Sequence, residues 1–188
     1  MALLMLTCMT PRKIFITGNA GSGKTTLARD LGQRFALPVY GLDQIVWRSG
    51  WKETPVQEKA AQIAQLVSTP CWIIDGVSSI AESAADIVIF LDVSPVLCTW
   101  RCAKRNWHFL FRSRPELPEN CPEIAIIPKL LKIIWQFDGR VRPAILNRMD
   151  SPKCEQSYFH VRSVEELQNA LSELQATGLP LKTSPFFG

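Results

Sequence analysis

The chain holds 188 residues, 47% hydrophobic and 20% charged, with a formal net charge of +4. That composition excludes disorder and fits one domain whose core needs neither disulfides nor a structural metal. The charge permits acidic ligands without arguing for nucleic acid, and with no run of about 18 apolar residues a membrane span is not expected.

The six cysteines, Cys8, Cys71, Cys98, Cys102, Cys121 and Cys154, include no Cys-x-x-Cys pair. They read as buried or idle thiols of a reducing cytosol rather than as a zinc or redox site. Met1 to Met9 is apolar but lacks the basic region and small-residue cleavage site of a signal peptide. The expectation is therefore a cytoplasmic protein, a single nucleotide-binding domain over 1–188 with loosely ordered ends at 1–11 and 178–188.

In chain order, Lys13-Ile-Phe-Ile-Thr17 is a short β-branched and aromatic run that reads as a buried strand. It runs into a glycine-rich loop, after which Leu27, Ala28, Leu31 and Phe35 follow helical spacing, with Gly32 inside the window. Residues 38–42 form a second strand ending at Asp43. Thr54-Pro-Val-Gln57 predicts a helix with a capping box and a proline at its first position, burying Val56, Ala60, Ile63 and Val67. Residues 71–75 and 87–92 are further strands, ending at Asp75 and Asp92. Ser94-Pro95 caps the next helix, with Val96, Trp100, Ala103 and Trp107 as its apolar stripe.

Residues 106–127 carry Pro115, Pro118 and Pro122 with little periodicity and read as a lid-like insertion. A long helix follows, with Leu130, Ile133, Ile134, Phe137 and Val141 on one face and a kink near Pro143. Residues 157–161 make a fifth strand, and Ser163-Val-Glu-Glu166 caps a last helix with Val164, Leu167, Leu171 and Leu174 inward. Strands alternating with helices predict an α/β, three-layer fold around a five-stranded, mainly parallel sheet. Ligands of such sheets bind beyond the carboxyl ends of the strands. Asp43, Asp75 and Asp92 all sit there.

Residues 18–25 match G-x-x-x-x-G-K-[ST] between a strand and a helix. Gly18, Gly21 and Gly23 let successive backbone N–H groups turn inward around phosphate oxygens, with Asn19, Ala20 and Ser22 between them. The loop empties into a helix N-terminus, whose free N–H groups favour an anion. Lys24 is expected to reach the β and γ phosphates, Thr25 to ligate Mg²⁺, and Thr26 to complete the phosphate-facing set. The nucleotide is expected to be ATP, with GTP also admitted by the pattern.

Arg101, Lys104, Arg105 and His108 share a helix face at i, i+3, i+4 and i+7, and Arg112 and Arg114 follow in the insertion. Arginines beside a phosphate loop suit phosphoryl transfer, where charge on the equatorial oxygens must be held electrostatically. The other reading is a solvated basic face.

Asp43 is the first candidate for an acceptor contact or base, the other reading being a cap or turn. Asp75, followed by Gly76, either orients the acceptor or binds a magnesium-coordinated water, or forms a turn. Asp92 reads as a turn residue. Trp47 and Trp51 either stack on an acceptor base or belong to the core.

The segments Gly18–Thr25, Gly41-Leu-Asp43, Trp47…Gly50-Trp51, Trp72-Ile-Ile-Asp-Gly76, Phe90-Leu-Asp92 and Trp100-Arg101…Arg105 resemble adenylate-kinase-related P-loop proteins, in particular the group called DNA topology modulation proteins. The resemblance covers about residues 12–165. It implies a nucleotide-kinase-like fold with ATP on the loop, Arg101 and Arg105 on its phosphates, and an acceptor near Asp43, Asp75 and the helix from Pro55 to Val67. It also implies adenine near Arg162 and Ser163. One departure stands out: relatives carry an arginine just after the Asp-Gly, whereas residues 77–86 here include no basic residue.

These features predict an ATP-dependent phosphotransferase acting on a small acceptor. The alternative is a nucleotide-switched module contacting DNA, since Thr99 to Lys153 carries eleven Lys/Arg against five Asp/Glu. No DNA-reading motif accompanies that excess.

Overall fold

The computed structural model describes residues 13–109, 123–150 and 156–176; side chains are described for these except at 105–109 and 123–126. Five parallel strands form the sheet: β1 (Lys13–Gly18), β2 (Val39–Gly41), β5 (Trp72–Asp75), β6 (Ile87–Leu91) and β7 (Ser157–Val161), in the order β2-β5-β1-β6-β7. A separate antiparallel pair, β3 (Trp47–Arg48) and β4 (Lys52–Glu53), is joined through a 3₁₀ turn over Ser49–Trp51. The helices are α1 (Lys24–Phe35), α2 (Asp43–Val46), α3 (Val56–Val67), α4 (Ser79–Ala84), α5 (Pro95–Phe109), α6 (Glu123–Arg140), α7 (Arg142–Met149) and α8 (Val164–Ala176).

Strand alternation divides the core into two layers. Ile14 and Ile16 of β1, Ile73 of β5 and Ile87 and Ile89 of β6 face one side, where Leu27 and Leu31 of α1 and Leu174 of α8 cover them. Phe15, Trp72, Ile74 and Val88 face the other, against Leu42, Ile63 of α3 and Ala81 of α4. Phe90, on the same side as Val88 along β6, packs on Phe137 of α6 and Ile145 of α7. The three-layer architecture expected from the sequence is therefore present.

Gly32 is a packing requirement: a β-carbon there would lie 2.3 Å from Val39 Cγ2, so its absence lets α1 approach β2. The helix then closes on Ala36 in the left-handed conformation (φ 54°), whose N–H bonds Gly32 O.

Several local expectations are corrected. Val56, Val164, Val96 and Trp100 are 75%, 73%, 67% and 60% exposed, and Ala103 is exposed too. The buried stripe of α5 is instead Cys98 and Cys102, against Ile134 and Leu130 of α6. Pro55 is the N-cap of α3 rather than its first residue, and no side chain caps that helix. Ser163 Oγ does accept from Glu166 N (3.1 Å) and Ser94 Oγ from Leu97 N (3.4 Å). The predicted kink is a break at Val141, with Pro143 in the first turn of α7.

Helices reach into both ends of the segment expected as a lid. Residues 110–122, with Arg112 and Arg114, lie outside the described residues, as do the chain ends. Among the described residues no helix is long and apolar enough to cross a membrane.

Candidate functional site

The central strand β1 ends at Gly18, and its loop passes directly into α1 at Lys24. Gly21 approaches α5 so closely that a β-carbon would sit 2.6 Å from Cys98 O and 2.8 Å from Cys102 Sγ. The main-chain carbonyl of Cys98 and the sulfur of Cys102 thus form the bed on which the loop rests. Burial, together with the neighbouring Cys102, pushes the Cys98 thiol up to about 11, so it is no nucleophile at neutral pH.

A second tie comes from Asn19, which is fully buried. Its side-chain amide donates to Ile134 O of α6 at 2.9 Å, and its Oδ1 accepts from Ala20 N at 2.8 Å. Arg101 adds a third, donating to Ser22 O at 3.3 Å. The loop is therefore braced by both α5 and α6.

The Lys24 ammonium donates to Gly18 O (2.9 Å) and Asn19 O (2.7 Å). Burial pulls its pKa below the ordinary lysine range, while Asp43 and Asp75 pull the other way. Thr25 Oγ1 donates to Asp75 Oδ2 at 2.6 Å. Asp75 reaches Thr25 because β5 pairs with β1 in a register that sets Asp75 opposite Ile16. Burial raises the Asp75 pKa against the Thr25 hydrogen bond and the Lys24 charge, and its Oδ1 is buried without a hydrogen-bond partner.

Asp43 opens α2 and is exposed. Leu42 N bonds Asp75 O at 2.9 Å, which brings α2 against the end of β5. Both carboxylates line a cleft of about 620 Å³ that also contains Gly18, Ala20, Gly21, Gly23, Lys24, Thr25, Thr26, Gly76 and Arg101. Most of the sequence candidates thus line one cleft, whereas Asn19, Ser22, Arg162 and Asp92 are not among its lining residues. Arg162 is absent from the cleft lining; its backbone N and guanidinium both bond Glu166. The side chain of Arg105 lies outside the described residues, as do Arg112 and Arg114. Asp92 serves structure: it accepts two hydrogen bonds from Arg142, each 2.8 Å, and contacts His160 Nε2 at 2.7 Å.

The remaining wall holds Trp47 and Trp51, candidates for stacking on an acceptor base, and a residue of the helix expected beside the acceptor, but its α6 side carries no mark in the sequence. Val46, Trp47 and Trp51 come from the α2–β4 segment, Lys59 from α3, and Leu130, Ile133, Gln136, Phe137 and Arg140 from α6. Ile133, on the apolar face read from the sequence, is 40% exposed. Its helical spacing marks it as apolar, but only the position of the cleft tells which apolar surface faces a ligand.

The chain can be set beside solved structures on this geometry. A sugar kinase from Janibacter is 13% identical, with a TM-score of 0.52 and 90% of this chain and 98% of that chain covered. A deoxyadenosine kinase from M. mycoides with bound dATP is 14% identical (TM-score 0.51, coverage 87% and 99%). A gluconokinase from Sinorhizobium meliloti is 16% identical (TM-score 0.52, coverage 88% and 93%). The chain has the P-loop kinase fold. In this P-loop kinase fold the loop lies at the end of the central strand, beside the cleft that holds both candidate carboxylates. No protein-family model and no curated protein matches the chain.

Proposed function

We propose that this protein transfers the γ-phosphoryl group of ATP, or of GTP, to a hydroxyl of a small acceptor. The observation that carries the reading is the convergence of Lys24, Thr25, Asp75 and Asp43 on one cleft beside a glycine-rich loop. The acceptor oxygen attacks the γ-phosphorus, the bond to the β–γ bridging oxygen breaks, and the nucleoside diphosphate leaves with that electron pair. Asp43, exposed in the cleft, takes the hydroxyl proton. Lys24 and Arg101 hold the charge that spreads over the transferring oxygens, and Arg105, Arg112 and Arg114 extend that basic set along the chain.

The donor set fits Mg²⁺. A hydroxyl and a carboxylate meet at 2.6 Å, and the second carboxylate oxygen is buried without a partner, which suits a hard ion that keeps most of its waters. Thr25 would hold the ion directly and Asp75 through water, and the ion's role would be to neutralise phosphate charge.

The resemblance to DNA topology modulation proteins supports the adenylate-kinase-related scaffold alone. A DNA-contacting role has less behind it, because three of the cations in its basic segment are already paired: Lys129 with Glu53, Arg142 with Asp92 and Arg148 with Glu82.

The test is magnesium-dependent phosphoryl transfer from ATP and GTP across a broad panel of alcohols, sugars, nucleosides and nucleotides, with Lys24→Ala in parallel. Transfer by the natural chain that Lys24→Ala abolishes is expected. Binding of Mg-ATP without transfer to any acceptor would overturn the proposal.

A further inference from the structure

Four cations line the cleft: Lys24, Lys59, Arg101 and Arg140. Lys24 and Arg101 are engaged with the phosphate loop through Gly18 O, Asn19 O and Ser22 O. Lys59, in the first turns of α3, and Arg140, the last residue of α6, belong to different walls. Neither forms a salt bridge with another described residue. The segment after Gly76 brings no basic residue, so among the described residues of the lining these two are the cations not engaged with the phosphate loop.

Between those walls stands an aromatic corner. Trp47 and Trp51 meet edge to face, with ring centroids 5.5 Å apart and planes at 82°. Trp51 has φ +57°, a left-handed conformation that a bulky residue adopts only where its surroundings impose it. The corner is fixed from outside: Lys129 lies 4.4 Å from the Trp47 ring centre and pairs with Glu53, while Thr54 N bonds Val46 O at 2.9 Å. Leu130, Ile133 and Phe137 supply further apolar lining from α6.

Indoles offer flat apolar contact, cations in no salt bridge with another described residue suit an anion, and an exposed aspartate suits a hydroxyl. We propose that the acceptor is a ring-bearing anion: a planar ring packs on Trp47 and Trp51, a phosphate or carboxylate binds at Lys59 and Arg140, and a hydroxyl meets Asp43. The assignment rests on the phosphotransferase reading for the role of the ligand, but the binding can be measured without nucleoside triphosphate.

The experiment is calorimetry and tryptophan fluorescence on the full chain, with two series of probes. The phosphate series is AMP, GMP, CMP and UMP, each against its nucleoside and against ribose 5-phosphate. The carboxylate series is 4-hydroxybenzoate against phenol and acetate. At least one ring-bearing anion is expected to bind roughly tenfold or more tighter than either of its halves. The series in which it falls tells phosphate from carboxylate.

Trp51→Ala and Lys59→Met should each weaken that ligand by about tenfold while Mg-ATP affinity is kept. Lys59→Met serves if the strained turn does not tolerate alanine. Equal binding of charged and uncharged probes, no binding by any ring-bearing anion, or an unchanged affinity in Lys59→Met would overturn the assignment. Loss of Mg-ATP binding in the natural chain would instead strike the phosphotransferase reading and leave these ratios standing.

Discussion

Thr25 and Asp75 join the phosphate loop to the neighbouring strand: a hydroxyl at the start of α1 donates to a carboxylate at the end of β5 across 2.6 Å. The bond satisfies one carboxylate oxygen and leaves the other buried and unpaired. A carboxylate so placed is poor for stability and useful for an ion, since burial disfavours its charged form.

Asp75→Asn should therefore raise the melting temperature at neutral pH and abolish magnesium-dependent transfer. Because the folded pKa of Asp75 is raised, its protonated form is the better tolerated one. The stability it contributes is present at low pH and lost as pH rises through the folded pKa. The thermal advantage of Asp75→Asn should consequently shrink as the solution is acidified towards the ordinary carboxylate range. Melting curves between pH 4 and pH 7.5, on an about half-unit grid, test the sign.

Asp92 has the opposite electrostatics. Burial would raise its pKa, but hydrogen bonds from Arg142 and His160 outweigh it and hold the group below its usual value. A depressed carboxylate stabilises the fold above its unfolded pKa, and that contribution disappears as pH falls through the folded one. Asp92→Asn should cost about 1–3 kcal/mol at pH 7 in urea denaturation, a figure discounted because Arg142 is partly solvated. The variant should lose less stability than the natural chain on going to pH 3.

Asn19 is read from sequence as one phosphate-loop residue among several, yet it is the buried tie between that loop and α6. Asn19→Ala would leave the Ala20 N–H and the Ile134 carbonyl without their side-chain partner. A loss of about 1–3 kcal/mol in stability is expected, with weaker Mg-ATP binding by calorimetry. Unchanged nucleotide affinity in a destabilised Asn19→Ala would show that the tie serves the fold alone.

What could be read in advance follows from where the determinants lie. The phosphate loop and the five strands of the sheet are local patterns of glycine and β-branched residues, so they stand out in the sequence. The α5 stripe differs from the expected one because two periodic sets overlap there: Val96 and Trp100 are larger and more apolar, but Cys98 and Cys102 are the residues buried against α6, and the Cys98 carbonyl and Cys102 sulfur lie under Gly21. The β3–β4 pair was missed because strands of two residues carry no period. Asp92 looked like a turn because its partner, Arg142, is fifty residues away and only the topology brings them together. The helix that carries Lys59 is expected beside the acceptor, but Arg140, at the end of α6, carries no local mark of that cleft.

The bed beneath the loop gives a test that separates side-chain from backbone crowding. A β-carbon at Gly21 would press on both Cys102 Sγ (2.8 Å) and Cys98 O (2.6 Å), and Gly21 itself has φ +82°. Gly21→Ala should lower Mg-ATP affinity by roughly tenfold or more, through strain and a displaced loop. Cys102→Gly in the same chain removes the sulfur but leaves the main-chain oxygen of Cys98, so it should not restore binding. By contrast, Gly32→Ala meets only the side-chain methyl of Val39, at 2.3 Å, among its near contacts below 3 Å. There the second change Val39→Ala should recover much of the lost stability. Rescue at Gly21 by Cys102→Gly would show that sulfur, not main chain, sets the height of the phosphate loop above α5.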